Sequence, residues 1–440
     1  MDRTVEADGR RRRKRAVAAV VVGVLAGCSG TSANSAGPTD SPDVVSTPAA
    51  TSDSPRAVSG DARALPAAQE TCLVEMPDEW LELMPSTEPL TEPVDRLAQL
   101  VTDEGGVAYF AGIDGRGVPR LEWTAPGSDQ VVVVASFPDQ PEAQAMSLDF
   151  DGRYLVYAMT WSYSMFDSPW TIYVWDSQSG GDPIEIAESL DGNYPDGSAG
   201  SMPLIAVHAY EGVAAWVARD PTSEEPFSRS LFAYAIANET TEVLARDEFR
   251  SGTLSENTVI VPVKTPRSED VTWQVHPLNE QPAITLPDEF TESRTAIYVA
   301  ASSAGIIWNE GINTEEMGED GDHWKEGKLW FWPKGADASI LLLEETLPGG
   351  GPGRAADALT MNDRFLSLRL ETTTVGIRSH VYDLKSESWT AIREGLPDGE
   401  FTAQPGALQF HYYSNNDGTG GSPYVVIPNQ DLPPLPACTQ

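Results

Sequence analysis

Residues 147–157 read Ser147-Leu-Asp-Phe-Asp-Gly-Arg-Tyr-Leu-Val-Tyr157, and a second run, Trp170-Thr-Ile-Tyr-Val-Trp-Asp176, follows before Ser179-Gly-Gly181 and Pro183-Ile-Glu-Ile186. Short runs rich in Val, Ile, Tyr and Trp, bounded by Asp, Gly and Ser, are strand signals, and Asp151-Gly152 is a turn signal between two of them. The stretch therefore reads as consecutive antiparallel strands joined by tight turns.

The same order recurs along the chain. Val213-Ala-Ala-Trp-Val-Ala218 and Ser230-Leu-Phe-Ala-Tyr-Ala-Ile236 repeat it, as do Gly305-Ile-Ile-Trp308, Lys328-Leu-Trp-Phe-Trp332 and Ile340-Leu-Leu-Leu343. Phe365-Leu-Ser-Leu-Arg-Leu370, Ser379-His-Val-Tyr-Asp-Leu384 and Trp389-Thr-Ala-Ile392 repeat it again. Units start near residues 96, 143, 201, 250, 294, 355 and 402. A four-stranded unit at a period of about 40–60 residues is the mark of a β-propeller. The predicted fold is all-β, a propeller of seven blades with four antiparallel strands each. One short helix is expected around Val94–Val101. The seventh unit supplies two or three strands, so a strand from the N-terminus is expected to complete the ring.

The unit at 147–180 resembles the TolB-like and WD-like propeller repeat. In that repeat S-x-D-G-x-x-L-x-Y forms two inner strands and I-Y-x-x-D-x-x-x-G the third, here Ile172-Tyr-Val-Trp-Asp176 with Gly180. The match is partial in the units near 201 and 355 and poor elsewhere. It implies a fold superfamily and no particular activity.

The 440 residues carry 29 Lys+Arg against 66 Asp+Glu, a net charge of −37. Residues 1–27 hold 7 Lys/Arg and 3 Asp/Glu, leaving 22 against 63 and a net of −41 for the remainder. A body so acidic repels phosphate backbones and anionic lipid, which excludes nucleic-acid binding and docking on such lipid through the folded surface. With 12 Trp, 13 Tyr and 12 Phe there is ample apolar mass for a core.

Arg10–Arg15 is an unbroken basic run and Ala16–Gly27 is uncharged, the n- and h-regions of an export signal too short for a membrane span. The stretch ends in Leu25-Ala26-Gly27-Cys28, which resembles the lipobox of bacterial, actinobacterial-type lipoproteins. The resemblance implies cleavage of residues 1–27, diacylglycerol and palmitate-type acylation of Cys28, and anchoring on the extracytoplasmic face of the cell membrane. Residues 28–69 are rich in Ser, Thr, Pro and Ala and read as a disordered tether with a root-mean-square span of about 35 Å. Residues 70–440 form the propeller. Cys72 and Cys438 bracket it, and in an exported protein two leftover cysteines are expected to pair. The pair would draw the first and last segments together.

Parity of an up-and-down meander puts the connections after second strands and between blades on one face, and these are the long ones. Long loops gathered on a rigid scaffold are where binding concentrates. Trp161, Tyr163, Phe166 and Trp170 make one loop aromatic-dense, suited to a protein hot spot or to sugar stacking. The competing reading places Trp161 and Trp170 at strand ends, packed between blades. Asp320, Asp322, His323 and Trp324 lie in an acidic loop whose oxygens suit Ca²⁺. Its spacing is not that of an EF-hand, and the competing reading is a solvated acidic run, so no metal or other cofactor is assigned. The chain has no G-x-S-x-G, H-E-x-x-H, C-x-x-C or P-loop motif. His208 and His380 fall on strand patterns and read as structural. The expected function is a monomeric, non-catalytic binding or scaffolding lipoprotein whose long-loop face meets an envelope protein or cell-wall glycan. The alternatives are a polysaccharide-active enzyme with carboxylates at the axis and a ligand-sensing ectodomain.

Overall fold

The computed structural model describes residues 72, 74–84, 96–112, 117–162, 169–189, 206–219, 229–247, 252–264, 271–293, 296–313, 324–346, 357–372, 376–391, 399–412 and 424–437. The signal and tether segments lie outside them.

Seven antiparallel sheets follow one another in chain order, each a simple meander. Blade one is Arg96–Val101, Val107–Ala111, Arg120–Thr124 and Val131–Ser136; blade two is Gln144–Phe150, Tyr154–Thr160, Trp170–Asp176 and Ile184–Glu188. Blade three is Val207–Tyr210, Val213–Arg219, Arg229–Ala235 and Thr240–Asp247; blade four has three described strands, Thr253–Ser255, Thr258–Lys264 and Val271–Pro277. Blade five is Ala296–Ser302, Gly305–Asn313, Trp324–Pro333 and Ile340–Thr346; blade six is Asp357–Met361, Phe365–Thr372, Gly376–Asp383 and Ser388–Ala391. Blade seven has three described strands, Gly399–Gln404, Ala407–Tyr412 and Tyr424–Pro428. The protein is a seven-bladed β-propeller.

Burial explains why the middle strands read as unbroken apolar runs. In Tyr154–Thr160 every residue after the first is buried, because both faces of the sheet meet a neighbouring blade. Six apolar clusters fill six of the junctions between blades. Between blades two and three, for example, Val156, Trp170 and Ile172 pack with Val207, Ala214 and Trp216.

The expected helix at Val94–Val101 is instead the first strand of blade one. Ala98, Leu100 and Val101 are buried there, and the pairing with Val107–Ala111 overrides the helical spacing. Two short helices appear elsewhere. Helix α1 (Asp78–Leu83) buries Trp80, and helix α2 (Asp288–Glu292) buries Phe290. Phe290 packs on Trp273 of the third strand of blade four at 4.8 Å and on Trp308 of blade five at 5.0 Å, so α2 fills the junction between these blades.

Closure also departs from the expectation. The described N-terminal segment adds no strand to blade seven. It runs along the outer edge of blade six, where Trp389 N donates to Cys72 O and Val74 N donates to Trp389 O, both at 2.8 Å. Helix α1 then enters the junction of blades six and seven. There Trp80 meets Phe365 edge-on at 5.6 Å and donates from Nε1 to Pro433 O at 2.9 Å. The C-terminal segment is held from the same side: Arg364 Nη1 donates to the carbonyls of Asn429 and Leu432, and Leu435 N donates to Asp383 Oδ2. Both ends of the body thus converge on one junction.

Between blades seven and one, Gly406 N donates to Val101 O at 3.1 Å. A Cβ on Gly406 would fall 1.8 Å from Thr102 O, so no larger residue fits without moving backbone. Gly406→Ala is expected to cost about 3 kcal/mol, the upper range for overpacked sites, read as a lowered thermal midpoint. An unchanged midpoint would mean that blade seven can shift away from blade one. Trp80→Ala, which empties the clasp at the other junction, is expected to cost about 3–5 kcal/mol by the same measurement.

Candidate functional site

The polar residues of the Ser147–Gly152 motif join blades. Strand alternation puts Ser147 and Asp149 on one face of the innermost strand of blade two, and Asp151 follows at its turn. All three accept hydrogen bonds from the backbone of blade three: Val207 N on Ser147 Oγ (3.1 Å), Ala209 N on Asp149 Oδ2 (2.9 Å) and Gly212 N on Asp151 Oδ2 (2.7 Å). Asp151 Oδ1 also takes Arg153 N and Tyr154 N, forming the turn, and Gly152 supplies its φ of +96°. Blades six and seven use the same device with hydroxyls: Phe401 N donates to Ser379 Oγ and Ala403 N to Thr360 Oγ1.

Asp149 is the perturbed carboxyl of this set. Burial pushes it up to about 6, against the two backbone hydrogen bonds that hold it down. His208, on the innermost strand of blade three, is driven the other way, down to about 4, by burial, while its Nε2 lies 3.3 Å from Gly252 O. Both are half-buried, and both link blades through their hydrogen bonds.

The two faces of the ring differ in kind. Turns after first strands are two to five residues long, such as 102–106, 211–212 and 405–406. Their residues include Asp103, Glu104, Asp151, Glu211, Glu256 and Asp363. Burial first, then the charges of Asp363 and Glu104, raises the carboxyl of Asp103. Tyr210 is raised by burial and by Glu211 and Glu256. Three cations on this side are engaged: Arg153 with Asp176 at 2.6 Å, Lys334 with Glu256, and Arg364 with the C-terminal segment. This face repels anions.

The strand ends on the opposite face are joined by 112–119, 161–169, 220–228, 265–270, 314–323, 373–375 and 413–423, three to eleven residues each. The described strand ends that these connections join lie on one face of the ring. Among the described residues this face carries Arg96 and Arg120, which enclose the buried Glu122, while the guanidinium of Arg96 lies 4.5 Å over the Tyr109 ring.

Trp161 and Trp170 flank blade two on its opposite sides. Trp161 is half-buried, donates to Thr171 Oγ1 at 3.0 Å and meets Phe137 edge-on at 5.4 Å. Trp170 is 6 % exposed and belongs to the cluster between blades two and three. Packing between blades is the role the structure gives Trp170, while Trp161 keeps an accessible edge. Tyr163, Phe166, Asp320, Asp322, His323, Cys28 and Cys438 lie outside the described residues. Trp324 opens the third strand of blade five. Among the described residues no three His, Cys, Asp or Glu converge as metal ligands. No helix among them is long and apolar enough to cross a membrane. Sequence reasoning missed the linking role of Ser147 and Asp149 and the Arg364–Asp383 clasp. The first was signalled by polar residues alternating within a strand, whereas nothing in the sequence marks the second.

No protein-family model matches the chain, and no curated protein matches its sequence. Similar folds occur among solved structures. The β-propeller domain of the Trilobed protease from Pyrococcus furiosus is 13% identical, with 62% of this chain and 80% of that one covered and a TM-score of 0.39. Pyrococcus horikoshii acylaminoacyl peptidase is 10% identical, covering 77% of this chain and 50% of that one, TM-score 0.42. A putative TolB from Agrobacterium tumefaciens is 11% identical, covering 58% and 83%, TM-score 0.31. The chain thus spans about half the length of such peptidases, and the likeness is one of fold.

Asp149 is expected to titrate near 6 in the folded protein, followed through its carboxyl carbon by NMR, against about 3.9 for a free Asp. The native state then binds the proton more tightly than the unfolded chain. The contribution of Asp149 to stability accordingly rises as pH falls from about 6 towards 4. A midpoint at or below 4 would show that its hydrogen bonds outweigh its burial.

Proposed function

We propose that the chain is a membrane-tethered, extracytoplasmic binding module whose long-connection face engages an envelope protein or a cell-wall glycan. The observation that carries this reading is the placement of the two ends of the ring. Cys72 sits beside Trp389, next to the short turn 384–387, and the segment 429–437 is held by Arg364 and Asp383 at the ends of neighbouring strands. A tether leading to Cys72 therefore enters at the acidic, short-turn side and leaves the opposite face directed outward. Acylation of Cys28 supplies the anchor in this reading. Pairing of Cys72 with Cys438 supplies a covalent clasp in this reading, supported by the hydrogen bonds that hold Cys72 beside Trp389 and by the anchoring of Leu435 in the same junction. The alternative of carboxylate catalysis at the axis finds little support in Asp149, whose two oxygens both accept backbone N–H groups.

Labelled palmitate is expected to enter the wild-type protein and to be lost in Cys28→Ala; label retained in that variant overturns the anchor. Crosslinking in cells is expected to recover a reproducible partner or glycan. Replacing 163–168 and 314–323 by short turns is expected to abolish that recovery. Equal recovery would place the contact elsewhere on the ring.

A further inference from the structure

Among the described residues the outer strand of blade one, Val131-Val-Val-Val-Ala-Ser136, is hydrogen-bonded on one side only, to Arg120–Thr124. Val131, Val132 and Val133 are 42, 40 and 54% exposed, so consecutive side chains on both faces of the strand meet solvent. An exposed strand with a free row of backbone donors and acceptors is a template for another chain, and proteins ordinarily guard such edges with charge or cover. Blades two, three and six do so. The outer strand of blade two carries exposed Glu185 and Glu188, and that of blade three exposed Glu242 and Arg246. In blades four and seven the outer described strands instead half-bury side chains: Trp273 packs on Phe290 of α2, and Val425 packs against the terminal cluster. Blade six is covered by the chain's own Cys72–Val74, through two backbone hydrogen bonds of 2.8 Å. Edge capture is thus already in use within this molecule.

We propose that the outer edge of blade one is a docking site for an extended, basic-flanked polypeptide strand of another protein, which adds to the sheet beside Val131–Ser136. Charge complementarity selects this occupant. The strand itself is uncharged, but exposed Asp129 lies before it and exposed Asp139 and Glu142 lie after it. An apolar strand with Lys or Arg at both ends would lay its side chains on the valines and its cations against those carboxylates. A second copy of this chain fits worse, because pairing two edges brings together two bodies that each carry −41 beyond residue 27, screened only beyond about 8 Å. Main-chain pairing supplies affinity in such additions, and the flanking side chains supply selectivity.

The test uses the full chain and a labelled nonapeptide of alternating valine and threonine with two lysines at each end. Saturable binding by fluorescence anisotropy is expected, with amide exchange slowed within residues 131–136. Val131→Lys with Val133→Lys is expected to weaken binding about tenfold or more, equivalent to 1.4 kcal/mol, with the thermal midpoint kept because both side chains are largely exposed. A glutamate-flanked peptide is expected to fail on the wild type and to be preferred by Asp129→Lys with Asp139→Lys, a variant that leaves the strand untouched. The proposal is overturned by absence of saturable binding at about 1 mM peptide or by protection outside 131–136. Indifference to either pair of substitutions, or protection that grows with protein concentration without peptide and so marks a second copy, overturns it equally.

Discussion

Face-to-face burial of neighbouring sheets is the constraint on which the rest of this protein depends. A blade with both faces apolar cannot stand in water alone, because a lone three- or four-stranded sheet buries too little to offset the entropy of ordering it. Each blade is therefore stable only between two others, and the row must close into a ring or leave two apolar faces exposed. Six junctions are filled by side-chain clusters. At the remaining one the turn at Gly406 lies against the backbone at Val101–Thr102. The ends of the chain do their work one blade earlier, where α1 and the C-terminal segment fill the space beside Phe365 and Phe401.

Apolar packing alone would let one sheet slide over the next. Polar residues at fixed positions on the inner strands prevent that, since Ser147, Asp149 and Asp151 each match one N–H of blade three, and Ser379 and Thr360 match two of blade seven. Burying a carboxylate for this purpose is costly, and the raised titration of Asp149 is the signature of that cost. The Arg364–Asp383 pair spends charge in the same way: Asp383 is fully buried, takes Leu435 N and Lys385 N, and so fixes the C-terminal segment over blade six. Removing either partner would leave a buried charge uncompensated.

Ring geometry also sorts chemistry between faces. Tight turns carry carboxylates around one mouth, beside which both ends of the described body are held, whereas the strand ends that the longer connections join lie at the other. The outer edges form a third kind of surface, charged on blades two and three, covered on blade six and open on blade one.

Much of the fold was legible in the chain. The period of the strand runs gave seven units, whose predicted starts at 96, 143, 250, 294 and 402 lie within three residues of Arg96, Gln144, Thr253, Ala296 and Gly399, because strand runs and tight turns are local patterns. Parity of the meander gave the two faces for the same reason. What the sequence could not say was which partners meet across the ring. Arg96–Val101 carries helical spacing yet is a strand, since pairing with Val107–Ala111 decides it. For Trp170 the sequence left open an exposed loop or a strand end packed between blades, and the approach of blade three decides for the second. The clasp joins Trp80 to Pro433 and Arg364 to Leu432, residues 353 and 68 positions apart. Local physical chemistry thus determined the strands, the turns and the charge of this protein. Closure of the ring, a contact between segments distant in sequence, decided where its ends leave, which aromatics remain exposed and which edge stays open.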